Sequence, residues 1–99
     1  MPLKRLKKLN TTDCLWVYVL RILRDGSVHA YALRKSIYKR FGFMPGTVTA
    51  YKVLYLLNRG GLVRKKQSGR HVVYSITGKG EKSLREAVDF YSERAKVLK

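Results

Sequence analysis

The sequence predicts a mainly α domain carrying one small β-hairpin, an α+β fold. Three observations predict it. Apolar residues recur at helical spacing in several stretches, most of them closed by glycine. Two strand-like runs, LVRKK and the β-branched HVVYSIT, are joined across Ser68 and Gly69, which is the pattern of a hairpin. A chain of 99 residues with 45% hydrophobic content has material for one small core.

The elements follow in order. Residues 1–10, MPLKRLKKLN, read as a basic arm with about one helical turn. The stretch TTDCLWVYVLRILRDG reads as a helix, with Thr11 or Thr12 as N-cap, Asp13 in the first turn and Gly26 past the end. Every residue from Cys14 to Leu20 is apolar or aromatic, so this helix should be covered on more than one side, in part by a partner subunit. SVHAYALRKSIYKRFG forms the next helix, with Ala30, Leu33, Ile37 and Phe41 on its core face. A breaker-rich turn, FGFMPG, separates it from a third helix over TVTAYKVLYLLNR, 47–59, which stops at Gly60 and Gly61. LVRKK and HVVYSIT then pair as a hairpin over 62–77, anchored to the core through Val72, Tyr74 and Ile76. Thr77 opens a last helix, from about Lys79 to Leu98. Helix, helix, turn, helix, hairpin, helix is the order of a winged helix-turn-helix. The expected organisation is a basic N-terminal arm (1–10), a winged helix-turn-helix DNA-binding domain (11–78) and a C-terminal dimerisation helix (79–99).

Charge narrows the function. The net charge is +16, from 22 Lys+Arg against 6 Asp+Glu, and such an excess calls for a polyanionic partner. No acid lies between Asp25 and Glu81, where eleven bases fall, whereas the last nineteen residues hold four acids beside five bases. The middle of the chain is therefore the anion-binding part. No stretch reaches the roughly 18 apolar residues of a membrane span, so no membrane partner is expected. The single Cys14 rules out an intramolecular disulfide framework and reads as a small buried hydrophobe in a reducing interior. No cleavable leader follows the basic start, and a cytoplasmic, nucleoid-associated protein is expected. His29, His71 and Cys14 have no metal-ligand spacing, so no metal or cofactor is expected. Phosphate-binding loops, paired carboxylates and nucleophile–base sets are missing as well, which argues against an enzyme.

A helical wheel at about 100° per residue puts Ala50, Val53, Leu54 and Leu57 on the core side of the third helix. The other side carries Val48, Lys52, Tyr55 and Arg59, with Tyr51 on one flank and Thr49 and Leu56 on the other, and Thr47 at the start of the helix joins the groove-reading candidates. Lysine and hydroxyl groups can reach phosphates and base edges, and apolar groups can meet thymine methyls. This face reads as a recognition helix for the major groove. Arg34, Lys35 and Lys39 from the second helix, and Arg64, Lys65, Lys66, Ser68, Arg70 and His71 from the wing, are expected on the backbone or in the minor groove. Lys4, Arg5, Lys7 and Lys8 add phosphate contacts.

In the last helix Leu84, Val88, Tyr91, Ala95 and Leu98 are spaced 4, 3, 4, 3, the seam of a coiled-coil-like interface. With Leu15, Trp16 and Val19 they form the expected homodimer interface.

The chain resembles the PadR family of winged-helix transcriptional regulators from about Leu15 to Leu84. GSVHAYAL carries Gly26, His29, Tyr31 and Leu33 of the family's G-x-x-H-G-Y-x-L, with Ala30 where glycine is usual. Tyr51, Leu54, Leu57, Gly61, Leu62 and Val63 match its Y-x-x-L-x-x-L-x-x-x-G-L-V. YSITGKG matches Y-x-L-T-x-x-G through Tyr74, Ile76, Thr77 and Gly80. The resemblance implies a dimeric DNA-binding repressor whose C-terminal helix dimerises. It also implies a small aromatic effector at the dimer interface, for which Trp16 and Tyr91 are the candidate lining residues, although core packing is the role first expected of both; His29 is expected to be structural. The expected function is a sequence-specific regulator of double-stranded DNA. The rivals are an architectural protein that coats DNA and, further off, an RNA-binding module.

Overall fold

The computed structural model describes residues 2–99 as five helices and three strands. In chain order these are α1 (Pro2–Leu9), α2 (Leu15–Arg24), β1 (Val28–His29), α3 (Leu33–Phe41), α4 (Thr47–Arg59), β2 (Val63–Ser68), β3 (His71–Ile76) and α5 (Gly78–Leu98). Short 3-10 turns at Thr12–Cys14 and Ala30–Ala32 lead into α2 and α3. The sheet is antiparallel in the order β1-β3-β2.

The basic arm is a full helix rather than one turn. Pro2 suits a first helical position, because its missing N–H would be unpaired there. At the other end Asn10 Nδ2 donates to the Leu6 carbonyl at 2.9 Å and Thr11 Oγ1 to the Lys7 carbonyl at 2.7 Å. Thr11 thus closes α1 instead of capping α2, and α2 starts without a side-chain cap. Tyr18 fastens this junction: its hydroxyl donates to the Asn10 carbonyl at 2.6 Å. Its ring stands edge-on to Phe41 at 4.9 Å and Phe43 at 5.0 Å. Burial raises the pKa of that hydroxyl.

α2 is the central pillar. Leu15, Val19, Leu20, Ile22 and Leu23 are buried because α3, α4, α5 and β3 all pack around the helix. The cover expected from a partner subunit is supplied largely by the chain's own elements. The core is completed by Leu33, Ile37, Leu54, Leu57, Val63, Tyr74 and Leu84. No polar side chain among the described residues is fully buried. Asp25 ties the end of α2 to α3 through Arg21 (2.9 Å) and Arg40. The two guanidinium groups beside it hold its carboxyl below the ordinary range.

One element departs from the expected pattern. The helix predicted from Ser27 begins only at Leu33, since Val28 and His29 pair with Tyr74 and Val73 as an edge strand. The outer edge of β3 would otherwise leave peptide groups unpaired, and an extended Val-His segment answers that need better than a helical turn. The predicted core face survives: Leu33 and Ile37 are buried, and Ala30 and Phe41 pack against the core. The hairpin is also as expected, with Val63 opposite Ile76 and Ser68 opposite His71. Its turn uses Gly69 at φ 61°, a conformation costly for residues with a Cβ.

α5 is stitched onto the end of α4. Thr77 Oγ1 accepts from the Gly80 N–H at 3.1 Å and donates to the Gly61 carbonyl at 2.6 Å, while Lys79 Nζ donates to the Gly60 carbonyl at 2.8 Å. Leu84 is buried; from Arg85 onward only Ala87 is even half-buried, so the rest of α5 is exposed.

Candidate nucleic-acid interface

α4 has the bounds expected for it, 47–59. Ala50, Leu54 and Leu57 face the core with Val53 half-buried, which turns the remaining residues outward. Thr47, Val48, Thr49, Tyr51, Lys52, Tyr55 and Arg59 are all exposed, Val48 at 82% and Tyr55 at 61%. Exposing a valine and a tyrosine this far is unfavourable in water and suits a surface that meets a ligand. The start of α4 is fixed from α3, because Arg34 Nε donates to the Pro45 carbonyl at 2.8 Å and Pro45 is fully buried. Half-buried Arg34 therefore positions α4, beyond the phosphate role expected of it. Gly46 supplies no side-chain cap, so the first N–H groups of α4 keep their affinity for an anion. Lys35 and Lys39 are exposed on α3.

The wing extends the same positive field. In β2 only Val63 is buried, and Arg64, Lys65, Lys66, Gln67 and Ser68 all face solvent. Arg70 and His71 complete the tip and are exposed too. Cross-strand pairing sets Lys65 against Tyr74 and Lys66 against Val73, and buried Tyr74 anchors the hairpin. Burial also pushes the Tyr74 hydroxyl above its ordinary pKa. The cations are thus held by an ordered ladder. No carboxylate belongs to α3, α4 or the wing, since the chain has none between Asp25 and Glu81.

The residues expected at the dimer interface divide into two groups. Leu15, Val19 and Leu84 are 1%, 0% and 1% exposed, inside the chain's own core, so their side chains are not available to a second copy. That part of the expectation is corrected: the heptad spacing of α5 begins on the intramolecular core and leaves it after Leu84. Trp16, Val88, Tyr91, Ala95 and Leu98 are exposed. Trp16 and Tyr91 line an apolar groove of about 370 Å³ with Cys14, Val17, Ala87 and Phe90. Burial, and after it a hydrogen bond with Cys14, pushes the Tyr91 hydroxyl up to about 12. Cys14 itself is a free, half-buried thiol.

Exposed Tyr31 and half-buried His29 were missed as neighbours of the wing. A helix over 27–42 would have separated them from His71, and nothing in the local sequence signals the two-residue strand that brings them together. No group of three or more His, Cys, Asp or Glu among the described residues could hold a metal ion, and no helix is long and apolar enough to cross a membrane.

The architecture is shared with known proteins. A transcriptional regulator from Clostridium thermocellum matches with a TM-score of 0.80 at 19% identity, over 89% of this chain and 93% of that one. F93 from STIV, a winged-helix DNA-binding protein, matches at 0.73 and 22% identity, over 85% and 88%. A PadR family transcription regulator from Clostridium difficile R20291 matches at 0.75 and 21%, over 84% and 92%. No curated protein matches in sequence. At these identities the structural likenesses establish the winged-helix fold. The family follows from the sequence, because the model described as "Transcriptional regulator PadR-like family" matches residues 19–86, more than half of the chain. The protein belongs to the PadR-like family of transcriptional regulators and is not an enzyme.

Proposed function

We propose that the chain acts as a homodimeric repressor that binds double-stranded DNA in a sequence-specific manner. α4 enters the major groove and the wing, 62–77, lies on the backbone or in the minor groove. The observation that carries this reading is the exposed face of α4, which presents Thr49, Lys52 and Tyr55 beside a cationic hairpin with no acid in reach. Lys52 and the hydroxyls suit base edges, and Val48 suits a thymine methyl. Lys35, Lys39, Arg64, Lys65, Lys66 and Arg70 suit phosphates. A low-specificity coating role has one observation in its favour, the +16 charge, which doubles to +32 in a dimer.

The exposed stretch of α5 supports self-association. Val88, Tyr91, Ala95 and Leu98 lie at spacings of 3, 4 and 3 on a helix that its own chain leaves open. Two-fold pairing there sets two α4 helices about one DNA turn apart, roughly 34 Å. The Trp16–Tyr91 groove then falls beside the interface and suits a small aromatic effector.

The test is a variant with Val88→Asp and Leu98→Asp, 48% and 84% exposed, where a charge does not disturb the core. It is expected to be monomeric by light scattering and to bind DNA about 10²-fold more weakly, the loss expected when two linked sites become one. A dimer that persists would remove α5 from the interface. Full DNA affinity in a monomer would refute the dimeric mode of action.

A further inference from the structure

Beside α4, the sheet gathers aromatic and cationic groups from all three strands, from α4 and from two turns. β1 places His29 opposite Val73 of β3. The chain then turns, and the ring of Tyr31 comes to 5.1 Å from that of His29. His71, the first residue of β3, meets both rings, at 5.7 Å from His29 and 4.9 Å from Tyr31. Tyr51 of α4, Lys65 of β2 and Arg70 of the hairpin turn line a cleft of about 290 Å³ with Tyr31, His71 and Tyr74. Tyr31 is 64% exposed and His71 is exposed. Core packing does not account for the arrangement.

The groups lining the cleft with His71 are tyrosines and cations: Tyr31 from the turn, Tyr51 from α4, Tyr74 from β3, Lys65 from β2 and Arg70 from the hairpin turn; His29, half-buried, stands behind them against the rings of Tyr31 and His71. No carboxylate of the 26–80 segment can pair with them, because there is none. Imidazole is the side chain that changes charge near neutral pH. Two imidazolium rings at this spacing, beside Lys65 and Arg70, repel one another. A phosphodiester in the cleft reverses that balance. The His71 imidazolium N–H can donate a charge-assisted bond to a phosphate oxygen, and the anion offsets the crowding of cations that includes His29 behind it. The anion therefore favours the protonated pair over the neutral one.

We infer that Tyr31 and His71, with Lys65 and Arg70, form a proton-coupled seat for a phosphodiester of the DNA backbone, and that His29 behind them adds to its charge. This inference rests on the DNA-binding reading above and adds to it a regulation by pH. The sign follows from the charge. The complex holds its proton more tightly than the free protein, so binding takes up protons. Affinity is greatest in mild acid and falls as pH rises past neutrality.

Because the chain has only these two histidines, no other imidazole can supply the effect. The test measures affinity of the full chain for a mixed-sequence DNA duplex by fluorescence anisotropy at constant ionic strength. Binding is expected to be several-fold tighter at about pH 6 than at about pH 8, on either side of neutrality where imidazole changes charge. Calorimetry in two buffers of different ionisation enthalpy should show net proton uptake. His29→Gln with His71→Gln should flatten the pH profile and abolish most of the uptake. His71→Gln alone, at an exposed position, should keep the fold and lose a clear share of the uptake. A wild-type affinity that ignores pH, or a pH response that survives in the double variant, would overturn the seat while leaving DNA binding intact. Failure to bind DNA at any pH would overturn the functional reading, and the seat with it.

Discussion

Lys52→Ala is expected to weaken binding to the protein's preferred DNA site by about 1–3 kcal/mol, roughly five- to 150-fold, with a much smaller loss on random duplex. Lys52 stands on the outward side of α4, and the helix is held in place by contacts that the substitution leaves alone. Ala50, Leu54 and Leu57 stay in the core, and Arg34 still grips the Pro45 carbonyl ahead of the helix. Alanine also favours helix, so stability should not fall. The loss thus reports on DNA and not on folding. Parallel titrations of the preferred site and of random duplex would check it. An equal loss on both would make Lys52 a phosphate contact, because phosphates carry no sequence information.

The largest effect on stability is expected at Gly80. It is buried in the first turns of α5, where the helix presses on the chain leaving α4. A Cβ at this position would fall on the Leu62 carbonyl oxygen and lie 2.8 Å from Ile76 Cγ1. The carbonyl cannot retreat freely, since it accepts the Thr77 N–H at 3.1 Å. Gly80→Ala therefore has to lift the start of α5 and strain the Thr77 cap. The expected cost is about 3 kcal/mol, the upper part of the usual range for overpacking. In a domain of this size that lowers Tm by on the order of 12–24 °C. Gly78→Ala is the control, two residues away and with nothing within 4 Å of the added methyl. It should leave stability unchanged or raise it by about 0.5–1 kcal/mol, since alanine restricts the unfolded chain. Thermal melts of both variants decide the point, and similar melting of the two would contradict the close approach at Gly80.

Much of this architecture was legible in the sequence because local signals agreed with tertiary demands. α4 is bracketed by Pro45-Gly46 and Gly60-Gly61, and its apolar period is long and clean, so its bounds and its outward face could be read directly. The hairpin combines alternating Val72, Tyr74 and Ile76 with a glycine turn, and no helical reading competes with it. Thr77 with Gly80 marks the start of α5 in the same way.

Where the reading departed from the structure, the deciding interaction was distant in sequence. Val28 and His29 extend because Tyr74 and Val73 lie alongside, some 45 residues on, and helical periodicity over 27–42 could not show that. The buried character of α2 was read correctly, but its cause was misassigned. An all-apolar helix signals cover on several sides without saying whose side chains provide it, and here α3, α4, α5 and β3 provide most of it. The heptad of α5 carries the same ambiguity. Leu84 faces the intramolecular core while Val88, Tyr91, Ala95 and Leu98 stand outside it, and a single period runs through both.

Competition binding on duplex fragments of the chromosome that carries this protein tests the central claim most directly. The best-bound fragment is titrated against random duplex at one fixed salt concentration. A sequence-specific regulator should prefer its site by ~10³-fold or more. Salt alone cannot decide, because any protein making 6–10 phosphate contacts loses about 10³–10⁵ in affinity between 50 and 200 mM. Near-equal affinity for all fragments would contradict the account and leave a protein that coats DNA through its charge.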